Sequence, residues 1–276
     1  RLSGSNWISC ATCHNPGLGW SDGLPRALGH GQKELGRHTP TIINSGYFEL
    51  QFWDGRAKTL EEQALGPIQA AGEMNQNLEA LVKELKSLPG YAALFRKAFG
   101  ESGVSGENIG KAIATFERSI ISRNSPYDKY WGGDKSAMSS AAVEGMNLFF
   151  GKAKCSICHN GPAFTDNKFH NIGVKPQGPL KEDFGRFAVT KDESDKGAFK
   201  TPGLRHVARH GPYMHNGSEA TLKDVIGFYN RGGDAKTNRS AFITPLGLKD
   251  QEKKNLLEFL HALEGEPIIV SLPELP

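Results

Sequence analysis

Cys10-Ala11-Thr12-Cys13-His14 and Cys155-Ser156-Ile157-Cys158-His159 are two copies of one pentapeptide pattern, and together they use all four cysteines of the chain. C-x-x-C-H is the pattern of covalent c-type haem attachment. Two thiols add across the vinyl groups of the porphyrin, and the imidazole that follows lies where it can bind the iron from the same side. The histidine separates this reading from its rivals. A thioredoxin-like C-x-x-C needs no adjacent His, and a four-cysteine zinc ribbon brings its two pairs much closer together in sequence. Chance or a disulfide could account for one copy, but two copies with no spare cysteine point to two covalently bound c-type haems. His14 and His159 are then the expected proximal iron ligands.

The surrounding sequence repeats as well. The first motif runs on as Asn15-Pro16-Gly17 and then Trp20-Ser21-Asp22; the second runs on as Asn160-Gly161-Pro162 and then Phe164-Thr165-Asp166. One supersecondary unit used twice predicts two similar lobes.

Composition sets outer limits. A length of 276 residues suits two domains of ordinary size. The hydrophobic content of 38% is on the low side, and two apolar macrocycles would add to the core. A formal charge of +3, with dispersed Lys and Arg, argues against nucleic acid or a membrane surface as partner. Mean hydropathy is −0.45 and there is no apolar run long enough to span a bilayer. Arg1-Leu2-Ser3 does not read as a signal peptide, so a processed leader is expected before it. Covalent c-haem attachment takes place on the oxidising side of a membrane, which in a bacterium predicts the periplasm.

Residues 1 to 57 are rich in Gly, Pro, Asn and Ser and read as loop wrapped around a cofactor. Three helical stripes follow. Leu78, Leu81, Val82 and Leu85 end at Pro89-Gly90; Tyr91, Leu94, Phe95 and Phe99 end at Gly100; Ile109, Ala112, Ile113, Phe116 and Ile120 make the longest. The stretch from Asn124 to Ser140 turns polar and places a domain boundary there. A helix through Val143, Met146, Leu148 and Phe149 leads to Cys155. Residues 160 to 218 are irregular, another helix covers Thr221 to Tyr229, and Asp250 opens a packed terminal helix with Leu256, Leu257, Phe259, Leu260 and Leu263. The expected fold is mainly α: two cytochrome c-like domains, 1–135 and 136–276, each with one haem.

Each iron has a sixth position, and its occupant decides between electron transfer and catalysis. Seven further His, four Met and six Tyr are candidates, and any one of them alone is more often a surface or core residue.

Further stretches carry a resemblance. Gln51-Phe52-Trp53-Asp54-Gly55-Arg56-Ala57 with Glu73-Met74, Phe169-His170-Asn171-Ile172-Gly173 and Gly211-Pro212-Tyr213-Met214-His215-Asn216-Gly217 resemble the bacterial dihaem cytochrome c peroxidase and MauG superfamily over essentially the whole chain. The resemblance implies that the N-terminal haem is peroxidatic and the C-terminal haem relays electrons. It implies that Trp53 couples the two, and that Glu73 is the distal acid passing a proton from H2O2 to the departing oxygen. Gln63 and Pro67 match other residues of the distal pocket.

Two positions separate the branches of that family. Gly29-His30-Gly31 resembles the mobile peroxidase loop whose His caps the resting peroxidatic iron, a His that MauG lacks. Tyr229, in Phe228-Tyr229-Asn230, falls where peroxidases place a Met ligand and MauG a Tyr. A thioether raises the haem potential, whereas a phenolate is a hard donor that stabilises the higher oxidation states. Met214 is the rival sixth ligand of the second haem. The family also binds Ca2+ between its lobes through an Asn in Arg-Asn-x-Pro. This chain has Arg37-His38-Thr39-Pro40, which leaves a weakened calcium site or one that relies on backbone carbonyls near His210 and Pro212.

The leading expectation is a periplasmic hydroperoxidase that reduces H2O2 to water. Its electron donor would be a small redox protein, a cytochrome c or a cupredoxin. The alternatives are a MauG-like oxidase acting on Trp or Tyr of a partner protein, a plain dihaem electron carrier, and a haem-based redox sensor. A homodimer is a further candidate assembly.

Overall fold

A computed structural model describes residues 1–276. Ten α-helices and one minimal sheet carry the chain: α1 Cys10–Cys13, α2 Leu60–Gln69, α3 Leu78–Ser87, α4 Pro89–Phe99, α5 Gly106–Ser119, α6 Pro126–Trp131, α7 Ser140–Phe150, α8 Phe187–Thr190, α9 Leu222–Arg231 and α10 Asp250–His261. The sheet pairs β1 (Phe169–His170) with β2 (Phe199–Lys200), antiparallel. The fold is mainly helical, as the near absence of strand patterning predicts.

The helices begin where the sequence supplies side-chain caps. Thr59, Asn77, Ser105 and Ser139 accept hydrogen bonds from Glu62, Ala80, Asn108 and Ala142 at the starts of α2, α3, α5 and α7. Thr221 and Asp224 form a reciprocal capping box at the start of α9. Each such cap contributes ~1 kcal/mol.

Burial divides into two main clusters. One gathers Ile8, Ile68, Met74, Leu81, Leu85, Val104 and Ile109. The other spans residues 138 to 263, with Phe149, Phe164 and Phe259 meeting edge to face at its centre. Gly145 lets α7 approach α10, since a Cβ there would overlap the Asn255 carbonyl. After α10 the chain returns to the first half, where Ile268 and Val270 pack against the small cluster of Trp20, Ile43 and Ile120.

Two local expectations need correction. The polar stretch from Asn124 to Ser140 contains α6, because Pro126 follows a Ser125–Asp128 capping box and pre-sets the first turn. On α5 the buried face is Ile109, Gly110, Ala114 and Glu117, while Ala112 and Phe116 are exposed, Phe116 at 41%. Gly110 sits under the Glu61 carbonyl of α2, so the close approach of the two helices selects the small-residue face over the Phe116 face.

A polar seam joins the halves. Arg37 clamps Asp183 through Nε and Nη2 at 2.7 Å each and reaches Asp54 through Nη1 at 2.7 Å. Arg186 donates to the Asp54 and Gly55 carbonyls, and the His38 amide donates to the His215 carbonyl at 2.8 Å. These contacts hold the loop around Trp53 against the second half.

Candidate haem sites in a shared cavity

One cavity reaches both C-x-x-C-H motifs. It encloses about 2150 Å³ counting its open mouth, and 25 of its 44 lining residues are hydrophobic.

His14 and His159 are held alike. His14 Nδ1 lies 3.2 Å from the Trp20 carbonyl and His159 Nδ1 lies 3.0 Å from the Phe164 carbonyl. A carbonyl only accepts, so the ring proton sits on Nδ1 and each Nε2 keeps its lone pair, the tautomer an iron ligand needs. Burial lowers both imidazole pKa values and keeps the rings neutral. The four thiols are unpaired. Burial pushes Cys13 and Cys158 up to about 11 and Cys155 up to about 12. Large apolar space, two neutral imidazoles and two free thiol pairs fit two covalently attached haems.

The repeat extends further than the motifs. The hydroxyl next to each anchoring carbonyl reaches a Thr-Pro pair: Ser21 Oγ donates to the Thr39 carbonyl at 2.7 Å, and Thr165 Oγ1 donates to the Thr201 carbonyl at 2.6 Å. Thr39-Pro40 and Thr201-Pro202 are the sequence signal that pattern reading passes over.

On the second site, Tyr229 lines the cavity from α9. Burial raises its hydroxyl pKa, with charge on Cys155 and Cys158 adding to the effect, which places the phenol close to that attachment pair. Met214 lines the same cavity from a left-handed backbone position. Both candidate ligands therefore face the shared space.

On the first site, Gln63 and Trp53 line the cavity. Trp53 Nε1 donates to the His38 carbonyl at 2.9 Å, and its own backbone carbonyl accepts from the Lys200 amide at 2.8 Å, so the first half fixes the indole and the second half its backbone. Glu73 and His30 come together in neighbouring loops outside the cavity wall. The His30 amide donates to the Gly72 and Glu73 carbonyls at 3.1 and 2.8 Å, and His30 Nδ1 is buried with no partner. A Cβ at Gly29 would overlap the Gly72 carbonyl, which is why this approach needs glycine. Burial raises the Glu73 pKa against an opposing Arg56 charge, and the carboxylate is near enough to raise Cys13.

Glu117 is a polar residue the sequence pattern misses. It is 9% exposed on the inner face of α5 and lines the cavity, and burial raises its pKa to about 7. With the folded value above the unfolded one, the native state keeps a proton that the unfolded chain releases. Its stabilising contribution is full below the ordinary carboxylate range and is lost as pH rises through about 7. The melting temperature of the unmodified protein is therefore expected to fall relative to Glu117→Gln across that window. Parallel thermal scans of the two proteins over the same pH range check this, and curves that stay parallel through pH 7 would refute the burial argument.

The calcium expectation meets an unsuitable donor set. His38 Nδ1 is taken by the Leu24 carbonyl at 2.8 Å, and Nε2 of His38 and of His210 are buried nitrogens without partners. Calcium takes about six to eight oxygen ligands. Neither imidazole supplies an oxygen donor, so a calcium site here would have to rest on the backbone carbonyls near His210 and Pro212.

A family profile described as di-haem cytochrome c peroxidase matches residues 1–136. Over 277 residues the chain is 44% identical to the methylamine utilization protein MauG of Methylorubrum extorquens, covering 100% of this chain and 78% of that protein. The chain belongs to the di-haem cytochrome c peroxidase and MauG family. It is 38% identical to the cytochrome c551 peroxidase of Pseudomonas aeruginosa, over 100% of this chain and 78% of that one. Among solved structures it is similar to a MauG-like protein associated with microbial copper homeostasis, with a TM-score of 0.88 at 32% identity over 96% of this chain and 86% of that one. Di-haem peroxidase family membership makes the chain an oxidoreductase.

Proposed function

We propose that this di-haem family member is a periplasmic c-type hydroperoxidase. In this reading, H2O2 takes up two electrons and two protons and leaves as two waters, and the second haem would relay the electrons. The observation that carries the reading is the shared cavity, where two imidazoles with free Nε2 atoms face one apolar space and Trp53 is pinned between the halves. The domains assigned are 1–135 around the peroxidatic haem and 136–276 around the relay haem, each cytochrome c-like.

The haems would supply the iron chemistry and store the electrons. The chain does the rest. His14 would hold the first iron, and His159 together with Tyr229 would hold the second. Gln63 orients peroxide, Glu73 moves the proton, and Trp53 couples the haems. The electron donor is a small redox protein. A MauG-like oxidation of Trp or Tyr on a partner protein is the second reading, favoured by the placement of Tyr229 in the cavity.

Steady-state assays separate the two. Sustained H2O2-dependent oxidation of a reduced c-type cytochrome is expected. Peroxide consumption that proceeds only with loss of protein Trp or Tyr would replace this reading with the second. His30→Ala is expected to abolish any lag or need for prior reduction, because it removes the side chain assigned to cap the first iron. Unchanged resting spectra and unchanged activation would show that His30 serves only its loop.

A further inference from the structure

Lys200 is only 8% exposed, yet its ammonium has no carboxylate partner in the protein, and burial alone sets its titration. Its Nζ donates to the Leu50 carbonyl at 2.8 Å and lies 4.2 Å from the centre of the Phe48 ring. Both contacts come from the first half, while Lys200 belongs to β2 of the second. The side chain lines the cavity shared by both haem motifs, and its backbone amide holds the Trp53 carbonyl. An ammonium has three donors, and Leu50 accounts for one. A buried charge without a counter-charge is strongly unfavourable, and buried cations are as a rule paired. Glu117 is the one acidic residue lining the cavity, and it neither pairs with Lys200 nor acts on its titration, so the protein supplies the cation without an anion beside it.

We propose that Lys200 is the cationic anchor of a haem propionate at the junction of the two halves. The carboxylate side chain of a macrocycle completes the ion pair that the protein leaves half built. This rests on the two-haem reading, which a haem count of two per chain tests separately. Without an anion, burial pulls the ammonium down to about 7; a propionate against it favours the charged form. A cation kept at the haem edge stabilises the reduced iron, so Lys200 helps to set the potential of the haem it holds, beside the residue assigned to couple the two.

The test is spectroelectrochemical titration of the purified two-haem protein. In Lys200→Met, which keeps the length of the stem and removes the charge, the midpoint potential of one haem is expected to fall while the other holds. Lys200→Arg, which keeps the charge, should stay near the unmodified potential. If the methionine variant does not accumulate, Lys200→Gln carries the same comparison. Unaltered potentials in the uncharged variant would overturn the proposal. Equal shifts in the Arg and the uncharged variants would overturn it too, since they would report packing and not charge.

Discussion

Glu73→Gln is expected to retain both haems and their spectra while slowing the reaction with H2O2 by ~10²–10⁴-fold, the range of a positioned acid–base group. The argument is electrostatic as well as positional. Burial raises the Glu73 pKa and Arg56 restrains the rise, so the carboxyl is shifted towards neutral pH, where a group can both take and return a proton. Glutamine keeps the shape and cannot do either. The backbone around Glu73 is fixed by the His30 amide and by the Glu73 amide donating to Ala70, so the substitution leaves the loop in place. Stopped-flow mixing with peroxide measures the effect. A loss below about tenfold would move the proton to His30 or to water.

Tyr229→Met is expected to raise the potential of the second haem substantially, because axial ligands command a span of ~0.8 V and a thioether favours the reduced iron. The phenol stands on α9, a helix fixed by its capping box and by buried Leu222, Ile226 and Phe228. It is close enough to Cys155 and Cys158 for their charge to act on its own titration. Potentiometric titration of the variant reads the change. An unaltered potential would return the ligand role to Met214, which lines the same cavity.

The haem attachment sites are legible in the sequence because covalent chemistry demands a contiguous pattern, and Cys10 to His14 and Cys155 to His159 supply it whole. Helices α3, α4, α7, α9 and α10 are legible for a similar reason: their apolar stripes and their start signals, a cap or in α4 the proline Pro89, are local. Glu117 is not, because it sits beside Phe116 on a helix where the larger apolar residue looks like the inward one. Only the close packing of Gly110 on α2 decides which face turns in. Lys200 is hidden in the same way, since a cation becomes informative only when tertiary packing buries it without a counter-charge. The α6 helix hides in a polar stretch because its signal is a cap and a proline with no stripe. Tyr229 and Glu73 enter the candidate site through family resemblance alone; no spacing rule reaches from His159 to Tyr229 or from His14 to Glu73.

The account turns on the claim that one chain holds two haem irons, the second closed by Tyr229 and not by a methionine. Near-infrared magnetic circular dichroism of the unmodified, fully oxidised protein reads the axial pair of each ferric haem. Two ferric haems with no methionine-to-iron charge-transfer band is the result expected. A methionine band from the haem held by Cys155, Cys158 and His159 would contradict it.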